Sequence, residues 1–257
     1  MSSHDHDASL ARDILLGSAR GLRFGRRFFR TLPADPRCKL CASPFGGVGG
    51  VAMRAIGKGP WPKNPKYCSA CWRELNRHRD GAEIECSLVF ADVRGSTALA
   101  ERMRPAEFRA LMNRFFDAAS DVLVEHDGIV DKFVGDEVIG IFVPGLAGPE
   151  HAKKAIHGAR GVLAAAAGHA VQLPVGAGVH TDIAFVGTVG DGALVEFTAM
   201  GDAVNTTARL ASVAGAGECL VTVVATRAAG IDPVGLEHRR LDLKGKDEPI
   251  DVVVLHA

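Results

Sequence analysis

Two short segments each place an aspartate where an apolar strand ends, and they constrain the fold more than any other feature. Phe90-Ala91-Asp92-Val93 closes one apolar run, and Val134-Gly135-Asp136-Glu137 forms a predicted hairpin turn. A single aspartate at a strand end is usually a turn or cap residue. An apolar strand ending in aspartate, followed about forty residues later by a hairpin with Gly-Asp at its tip, instead predicts a site that holds divalent ions against a nucleotide triphosphate.

The surrounding pattern predicts strands that alternate with helices over residues 82–257. The best-supported element is a helix over residues 105–126, because Pro105 suits a first turn, apolar residues recur at helical spacing and Gly128 follows its end. Strands are predicted at 86–93, 129–134, 138–143, 175–180, 185–189 and 194–198, helices at 150–167 and 203–213, and three further strands near the C-terminus.

Residues 33–81 form a separate Gly- and Pro-rich segment that contains two C-x-x-C pairs, Cys38/Cys41 and Cys68/Cys71. Two such knuckles supply the four sulfurs that tetrahedral zinc requires, and the segment is too short and Gly-rich to bury much core. The sequence therefore predicts a small metal-stabilised module with four cysteine ligands. An iron–sulfur cluster or a redox dithiol pair would use the same ligands, so these alternatives stay open.

The overall composition excludes several classes of function. Lys plus Arg total 30 and Asp plus Glu total 30, so no net field predicts nucleic-acid binding. No run approaches the roughly 20 apolar residues of a membrane span, and the first residues lack the order of a secretory signal. We therefore expect a cytoplasmic protein whose cysteines are not paired in disulfides.

The segment Thr198-Ala199-Met200-Gly201-Asp202-Ala203-Val204-Asn205-Thr206-Thr207-Ala208-Arg209 completes a pattern with the two aspartate segments. Together they resemble the class III adenylyl and guanylyl cyclase catalytic domain, from about Glu83 to the C-terminus. The resemblance implies an α+β fold of the ferredoxin-like or palm type, with an antiparallel sheet and helices. It also implies a homodimer with two sites across a two-fold axis and an inactive monomer.

The resemblance assigns metal and base recognition to particular residues. Asp92 and Asp136 bind two Mg²⁺ or Mn²⁺ ions, with the Val93 carbonyl as a further ligand. Lys132 and Thr198 read the base. A donor-only ammonium matches N1 of adenine and a hydroxyl accepts from its N6 amine, whereas guanine reverses both, so ATP is the predicted substrate.

The remaining assignments concern the ribose and the phosphates. The resemblance places Asn205 on the ribose and Arg209 on the phosphate in the transition state, and the two lie four apart on one predicted helix. Lys244 and Lys246 lie where relatives keep a lysine for the terminal phosphates, or in a solvated turn. Asp182 departs from the family, which usually has glycine there, and we expect it to adopt a left-handed backbone.

The N-terminal residues leave alternatives open. Residues 1–9 are polar and expected to be disordered, and residues 10–32 predict a basic amphipathic helix, with a break near Gly21 or Gly25. Its apolar stripe packs on the rest of the dimer or makes weak contact with a membrane surface or a partner.

Other classes of function fit the chain less well. A catalytically silent nucleotide-binding or dimerisation module that senses metal or redox state would not need the intact site residues. A diguanylate cyclase would show a Gly-Gly-acid-Glu-Phe turn, which the segment Val134–Val138 lacks. A polymerase with a similar palm would need far more protein.

Overall fold

A computed structural model of the chain describes residues 3–31, 35–62, 64–77, 81–190, 196–246 and 248–257. The helices are α1 (Ser3–Leu15), α2 (Arg20–Phe29), α3 (Gly47–Ala55), α4 (Ser69–Arg77), α5 (Ser96–Arg102), α6 (Pro105–Glu125), α7 (Pro144–Ala147), α8 (His151–Ala167), α9 (Asp202–Val213) and α10 (Val223–Ala228). The strands are β1 (Pro60–Trp61), β2 (Asn64–Cys68), β3 (Gly81–Val93), β4 (Ile129–Val134), β5 (Glu137–Phe142), β6 (Val175–Val189), β7 (Glu196–Met200), β8 (Glu218–Thr222), β9 (Glu237–Leu241) and β10 (Ile250–His256). Of the described helices, none has both the length and the apolar character needed to cross a membrane.

The chain divides into two compact units. One comprises Met1–Ile84, Val143–Gly148 and Ala184–Met200, and the other comprises Glu85–Phe142, Pro149–Ile183 and Gly201–Ala257. We call them the cysteine unit and the sheet unit. Strands β3 and β6 contribute residues to both, and the assignment of residues 33–81 and 82–257 to separate domains stays a prediction.

The sheet unit is built on strands in the order β4-β5-β3-β6-β8-β10-β9. Antiparallel pairing joins β4 to β5, β5 to β3, β8 to β10 and β10 to β9, and parallel pairing joins β6 to β8. Helices α6 and α8 pack against each other, and Leu123, Phe142 and Ile156 are fully buried. The predicted mixed α+β fold with a mostly antiparallel sheet is confirmed.

The cysteine unit contains a short antiparallel hairpin, β1–β2, followed by α4. The inner side of α2 is held through Arg26, whose Nε donates to Leu40 O at 2.6 Å and whose Nη2 donates to Gly145 O at 3.3 Å. The outer side of α2 exposes Phe24 and Phe28. Contact of this outer side with a membrane surface or a partner stays a prediction.

The N-terminal helix differs from the sequence-based expectation in the place of its break. Helix α1 spans Ser3–Leu15, and the expected disorder of residues 1–9 stays a prediction. The break falls at Gly17, which has a left-handed φ of 75°, and not at Gly21 or Gly25. A glycine in this conformation ends a helix at little steric cost, and the Ser18 hydroxyl donates to Asp13 Oδ1 at 2.8 Å across the break.

Strand β6 also differs, because it is continuous where two strands, 175–180 and 185–189, were predicted. Its first half pairs with β8 and its second half pairs with β7, so the intervening residues remain extended. The expected left-handed backbone at Asp182 is wrong: among the described residues other than glycine, positive φ occurs at Ala42, Asp127 and Gln172.

We expect Gly178→Ala to destabilise the sheet unit by about 1–3 kcal/mol, because overpacking of this size costs that much in well-packed cores. A Cβ at Gly178 would lie 2.6 Å from Ala211 N and 2.7 Å from Thr207 O, both on α9. Urea unfolding followed by circular dichroism measures the effect. Gly21→Ala is the matched control, since nothing lies within 4 Å of a Cβ there; equal stability of the two variants would contradict the packing argument.

Candidate functional site

The pairing register of β3 and β5 brings the two predicted metal-binding aspartates to one end of the sheet. Asp92 is directly opposite Glu137, and Asp136 precedes Glu137 in the turn. Directly opposed Cα atoms in an antiparallel pair lie about 4.5–5.5 Å apart. The turn needs Gly135, whose φ of 64° is one that glycine adopts without strain. Asp92, Asp136 and Glu137 are all half-buried, whereas Gly135 in the turn is exposed.

Arg94 belongs to the same group, although the sequence analysis did not identify it. Its guanidinium forms an ion pair with the Asp92 carboxylate, and its Nη1 donates to Ser212 O at 2.7 Å. Burial lowers the pKa of Arg94, while the charges of Asp136 and Glu137 oppose that shift. Arg94 lies in the turn that follows β3, so strand periodicity could not have placed it beside Asp92.

Negative charge exceeds positive charge at this end of the sheet. Burial, and then the charge of Asp136, raises the pKa of Glu137 to about 7, while Arg94 opposes the shift. The three carboxylates thus all interact with one guanidinium, and β3 ends at Val93, the residue after Asp92. Oxygen donors with excess negative charge fit a hard divalent cation.

Asn205 and Arg209 lie one turn apart on α9, the first exposed and the second half-buried. The Nη1 atom of Arg209 is buried and has no hydrogen-bond partner among the described residues. A buried cationic donor left without a partner is costly in free energy. This atom therefore fits an anionic ligand, such as a phosphate, that accepts its hydrogen bond.

The turn between β9 and β10 lies beside Arg209. A Cβ at Gly245 would lie 3.2 Å from Arg209 Nη2, and Gly245 has a φ of 77°. The Nζ of Lys246 forms an ion pair with Asp202 in the first turn of α9. Lys244 is exposed. Of the two lysines predicted for the terminal phosphates, Lys246 is thus the one with a described partner on α9.

The two predicted base-reading residues lie in different units. Lys132 is half-buried on β4 of the sheet unit, next in sequence to Phe133, whose ring stacks on Phe116 with centroids 4.3 Å apart. Thr198 is buried on β7 of the cysteine unit. Their roles in base recognition stay predictions.

The four predicted cysteine ligands converge in the cysteine unit, with their sulfurs all within 4.8 Å of one another. The sulfurs of Cys41 and Cys68 are 3.8 Å apart, and two sulfurs bound tetrahedrally at about 2.3 Å would be about 3.8 Å apart. The N–H groups of Cys68 and Cys71 donate to Cys38 Sγ at 3.2 Å and to Cys68 Sγ at 3.4 Å. This cluster can hold a metal ion.

Comparison with known proteins agrees with this geometry. Residues 81–256 match the family described as adenylate and guanylate cyclase catalytic domain. The chain is 32% identical over 174 residues to an uncharacterised protein of Mycobacterium tuberculosis, and the match covers 66% of this chain and 32% of that protein. It is 34% identical over 152 residues to adenylate cyclase 1 of Rhizobium meliloti, covering 55% of this chain and 21% of that protein.

Solved structures give the same result for the fold. The guanylyl cyclase Cya2 superposes with a TM-score of 0.63 and 26% identity over 68% of this chain and 93% of that one. The adenylyl cyclase CyaB of P. aeruginosa superposes with a TM-score of 0.60 and 24% identity over 69% of this chain and 97% of that one. The chain spans at most 32% of the length of the Mycobacterium and Rhizobium relatives.

We predict that folding protects Cys86 and Cys219 from alkylation. Both are fully buried, and burial raises the pKa of each thiol to about 12. At about pH 8 this leaves about one thiol in ten thousand as the reactive thiolate. In folded protein, iodoacetamide should therefore leave both unmodified, as mapped by peptide mass spectrometry.

Protein unfolded in urea is the control, in which all 6 cysteines should react. Modification of Cys86 or Cys219 in folded protein as fast as in unfolded protein would contradict the assignment.

Proposed function

Because the chain belongs to the family of adenylate and guanylate cyclase catalytic domains, we propose that two copies of it convert ATP to 3′,5′-cyclic AMP and pyrophosphate. The observation that carries this proposal is the register of β3 and β5, which sets Asp92 opposite Glu137 and beside the Asp136 turn. A catalytically silent module would have no need for this concentration of carboxylates.

Asp92 and Asp136 are the proposed ligands of two Mg²⁺ or Mn²⁺ ions, with the Val93 carbonyl as a third oxygen. Such ions, when bound, favour ionisation of the ribose 3′-hydroxyl and neutralise phosphate charge. The chain's own contribution is orientation. Arg94 forms an ion pair with Asp92 and is proposed to orient that carboxylate, whose second oxygen can serve as a metal ligand.

The proposed reaction forms a bond between the 3′-oxygen and the α-phosphorus and breaks the bond to the leaving pyrophosphate. Arg209 supplies a buried donor without a partner among the described residues, which suits charge that develops on the transferring phosphoryl group. Asn205, one turn away, is proposed to orient the ribose. Lys246 is proposed to contact the terminal phosphates after leaving Asp202.

Selectivity for ATP is proposed to come from Lys132 and Thr198. An ammonium group donates to N1 of adenine, but it faces an N–H at the same position of guanine. Adenylate cyclase 1 of Rhizobium meliloti, a relative at 34% identity, supports the adenine assignment. Cya2, a similar solved structure at 26% identity, is named a guanylyl cyclase, so similarity alone does not select the base. The proposal for ATP therefore rests on Lys132 and Thr198.

A homodimer is the proposed active form, with the aspartates of one protomer and Asn205 and Arg209 of the other at one site. The exposed apolar side chains at the β4–β5 hairpin support this. Phe133 is 46% exposed and Val134 is 52% exposed, and a second copy would remove both from water.

The cysteine cluster is proposed to bind one structural Zn²⁺. Four sulfurs within 4.8 Å of one another suit a single ion. The thiolates of an iron–sulfur cluster are spread over several irons, so they suit this spacing less well. One zinc per chain by elemental analysis is the expected result.

The primary test is turnover of purified protein with ATP or GTP and Mg²⁺ or Mn²⁺. We expect cyclic AMP from ATP, little product from GTP, and a loss of at least about a hundredfold in kcat for Asp92→Ala. The variant should remain dimeric by analytical ultracentrifugation. Full activity of folded Asp92→Ala would sink the metal assignment.

Mixing inactive variants tests the shared sites. Asp92→Ala and Arg209→Ala protomers each lack one half of a site, so a mixed dimer retains one intact site. We expect the mixture to recover up to about one quarter of wild-type activity, since random pairing makes half of the dimers mixed. No recovery, despite subunit exchange measured by fluorescence energy transfer, would exclude sites built from two protomers.

Base selectivity has its own test in Lys132→Glu. A carboxylate accepts from the N–H groups of guanine and repels N1 of adenine, so the ratio of kcat/KM for ATP to that for GTP should fall by at least about tenfold. Lys132→Arg keeps a donor and is the matched control. An unchanged ratio in folded Lys132→Glu would remove Lys132 from base recognition.

A further inference from the structure

The two tryptophans of the chain, Trp61 and Trp72, stack on each other beside the cysteine cluster. Their ring centroids are 4.0 Å apart and their planes differ by 18°. Trp72 directly follows Cys71 on α4. Trp61 follows Pro60, which is opposite Cys68 in the β1–β2 pair. Each ring is therefore attached to backbone that the sulfur cluster holds in place.

Trp72 also contacts the strand that carries the proposed base-reading residue. Its ring lies edge-on to Phe197, with centroids 5.7 Å apart and an interplanar angle of 63°. Phe197 is buried and directly precedes Thr198 on β7. Neighbouring side chains on a strand point to opposite faces, so Trp72 contacts β7 from the face opposite to the Thr198 side chain.

Strand β7 pairs antiparallel with β6, with Phe197 opposite Thr188 and Thr198 opposite Gly187. The hydrogen bonds of the pair fix its register, and side-chain packing on each face adds to how firmly the strand is held. The contact between Trp72 and Phe197 supplies such packing.

We propose that Trp72 is a positioning residue that couples metal binding at the cysteine cluster to the placement of Thr198. The proposal rests on the proposed function for the role of Thr198. A bound ion holds Cys68 and Cys71 together, and with them the hairpin and α4 that carry the stacked rings. When the ion is lost, the rings and then Phe197 gain freedom, so β7 presents Thr198 less uniformly.

The kinetic test compares Trp72→Leu with the wild-type chain. Leucine keeps an apolar side chain but removes the aromatic contact, so KM for ATP should rise roughly two- to tenfold with kcat little changed. The preference for ATP over GTP should fall by a similar factor. Trp72→Phe keeps an edge-on ring and should restore most of both values. Trp61→Phe alters the stack but leaves the contact of Trp72 with Phe197, and is the matched control.

A second test needs no turnover. Hydrogen exchange of residues 196–200 and tryptophan fluorescence are measured before and after a zinc-selective chelator, with Mg²⁺ in excess. Chelation should accelerate exchange in this strand of the wild-type chain severalfold and change the fluorescence. In Trp72→Leu, exchange should be fast already and respond little to chelation, because both changes act through one contact. Its zinc content should equal that of the wild-type chain.

Unchanged exchange of residues 196–200 after chelation would overturn the coupling. So would a Trp72→Leu protein that responds to chelation as strongly as the wild-type chain does. A purely structural role would lower stability and reduce kcat for both nucleotides without changing their ratio, which also contradicts the proposal. If the protein makes no cyclic nucleotide, exchange and fluorescence still decide whether Trp72 couples the cluster to β7, so the two failures are distinguishable.

Discussion

Antiparallel pairing of β3 with β5 forces carboxylates together that would repel each other in water. Asp92 lies opposite Glu137, and Asp136 lies in the adjoining turn. Like charges at this spacing are tolerated when one carboxyl holds a proton or when a cation is near, and among the described residues Arg94 provides a cation. The same register thus concentrates negative charge, and Arg94 neutralises part of it. A divalent ion would neutralise more of this charge, because it binds several oxygens at once.

The position of α9 depends on a different constraint, the absence of a side chain. Gly178 on β6 lets the helix backbone approach so closely that a single methyl group would collide with Ala211 N at 2.6 Å. This approach helps to place Arg209, whose Nη1 is buried without a partner among the described residues. Burying this donor without a hydrogen-bond partner lowers the free energy of unfolding. An anion that accepts a hydrogen bond from it would offset that loss. The acidic end of the sheet and this donor are therefore complementary in sign to a metal-bound triphosphate.

Local patterns predicted the elements well where local forces decide them. The helix expected over residues 105–126 is α6 (Pro105–Glu125), and the strand expected over residues 129–134 is β4. Long-range contacts decided the rest. The continuity of β6 depends on β8 and β7, which lie elsewhere in the sequence. The grouping of Val143–Gly148 with the N-terminal residues depends on contacts such as Arg26 to Gly145. The candidate site residues were assigned by resemblance to a family and stay predictions, whereas the contact of Arg94 with Asp92 required the geometry.

The cysteine cluster constrains what its unit can contribute to chemistry. Four thiolates fill the tetrahedral positions of a zinc ion, so no position would remain for a substrate or an activated water. With zinc at the cluster, its influence on catalysis would therefore be mechanical, through residues that it holds in place. Trp72 is adjacent to the proposed ligand Cys71 and contacts Phe197, the neighbour of Thr198. In the proposed coupling, a bound ion would limit the motion of β7 through side chains that it does not touch.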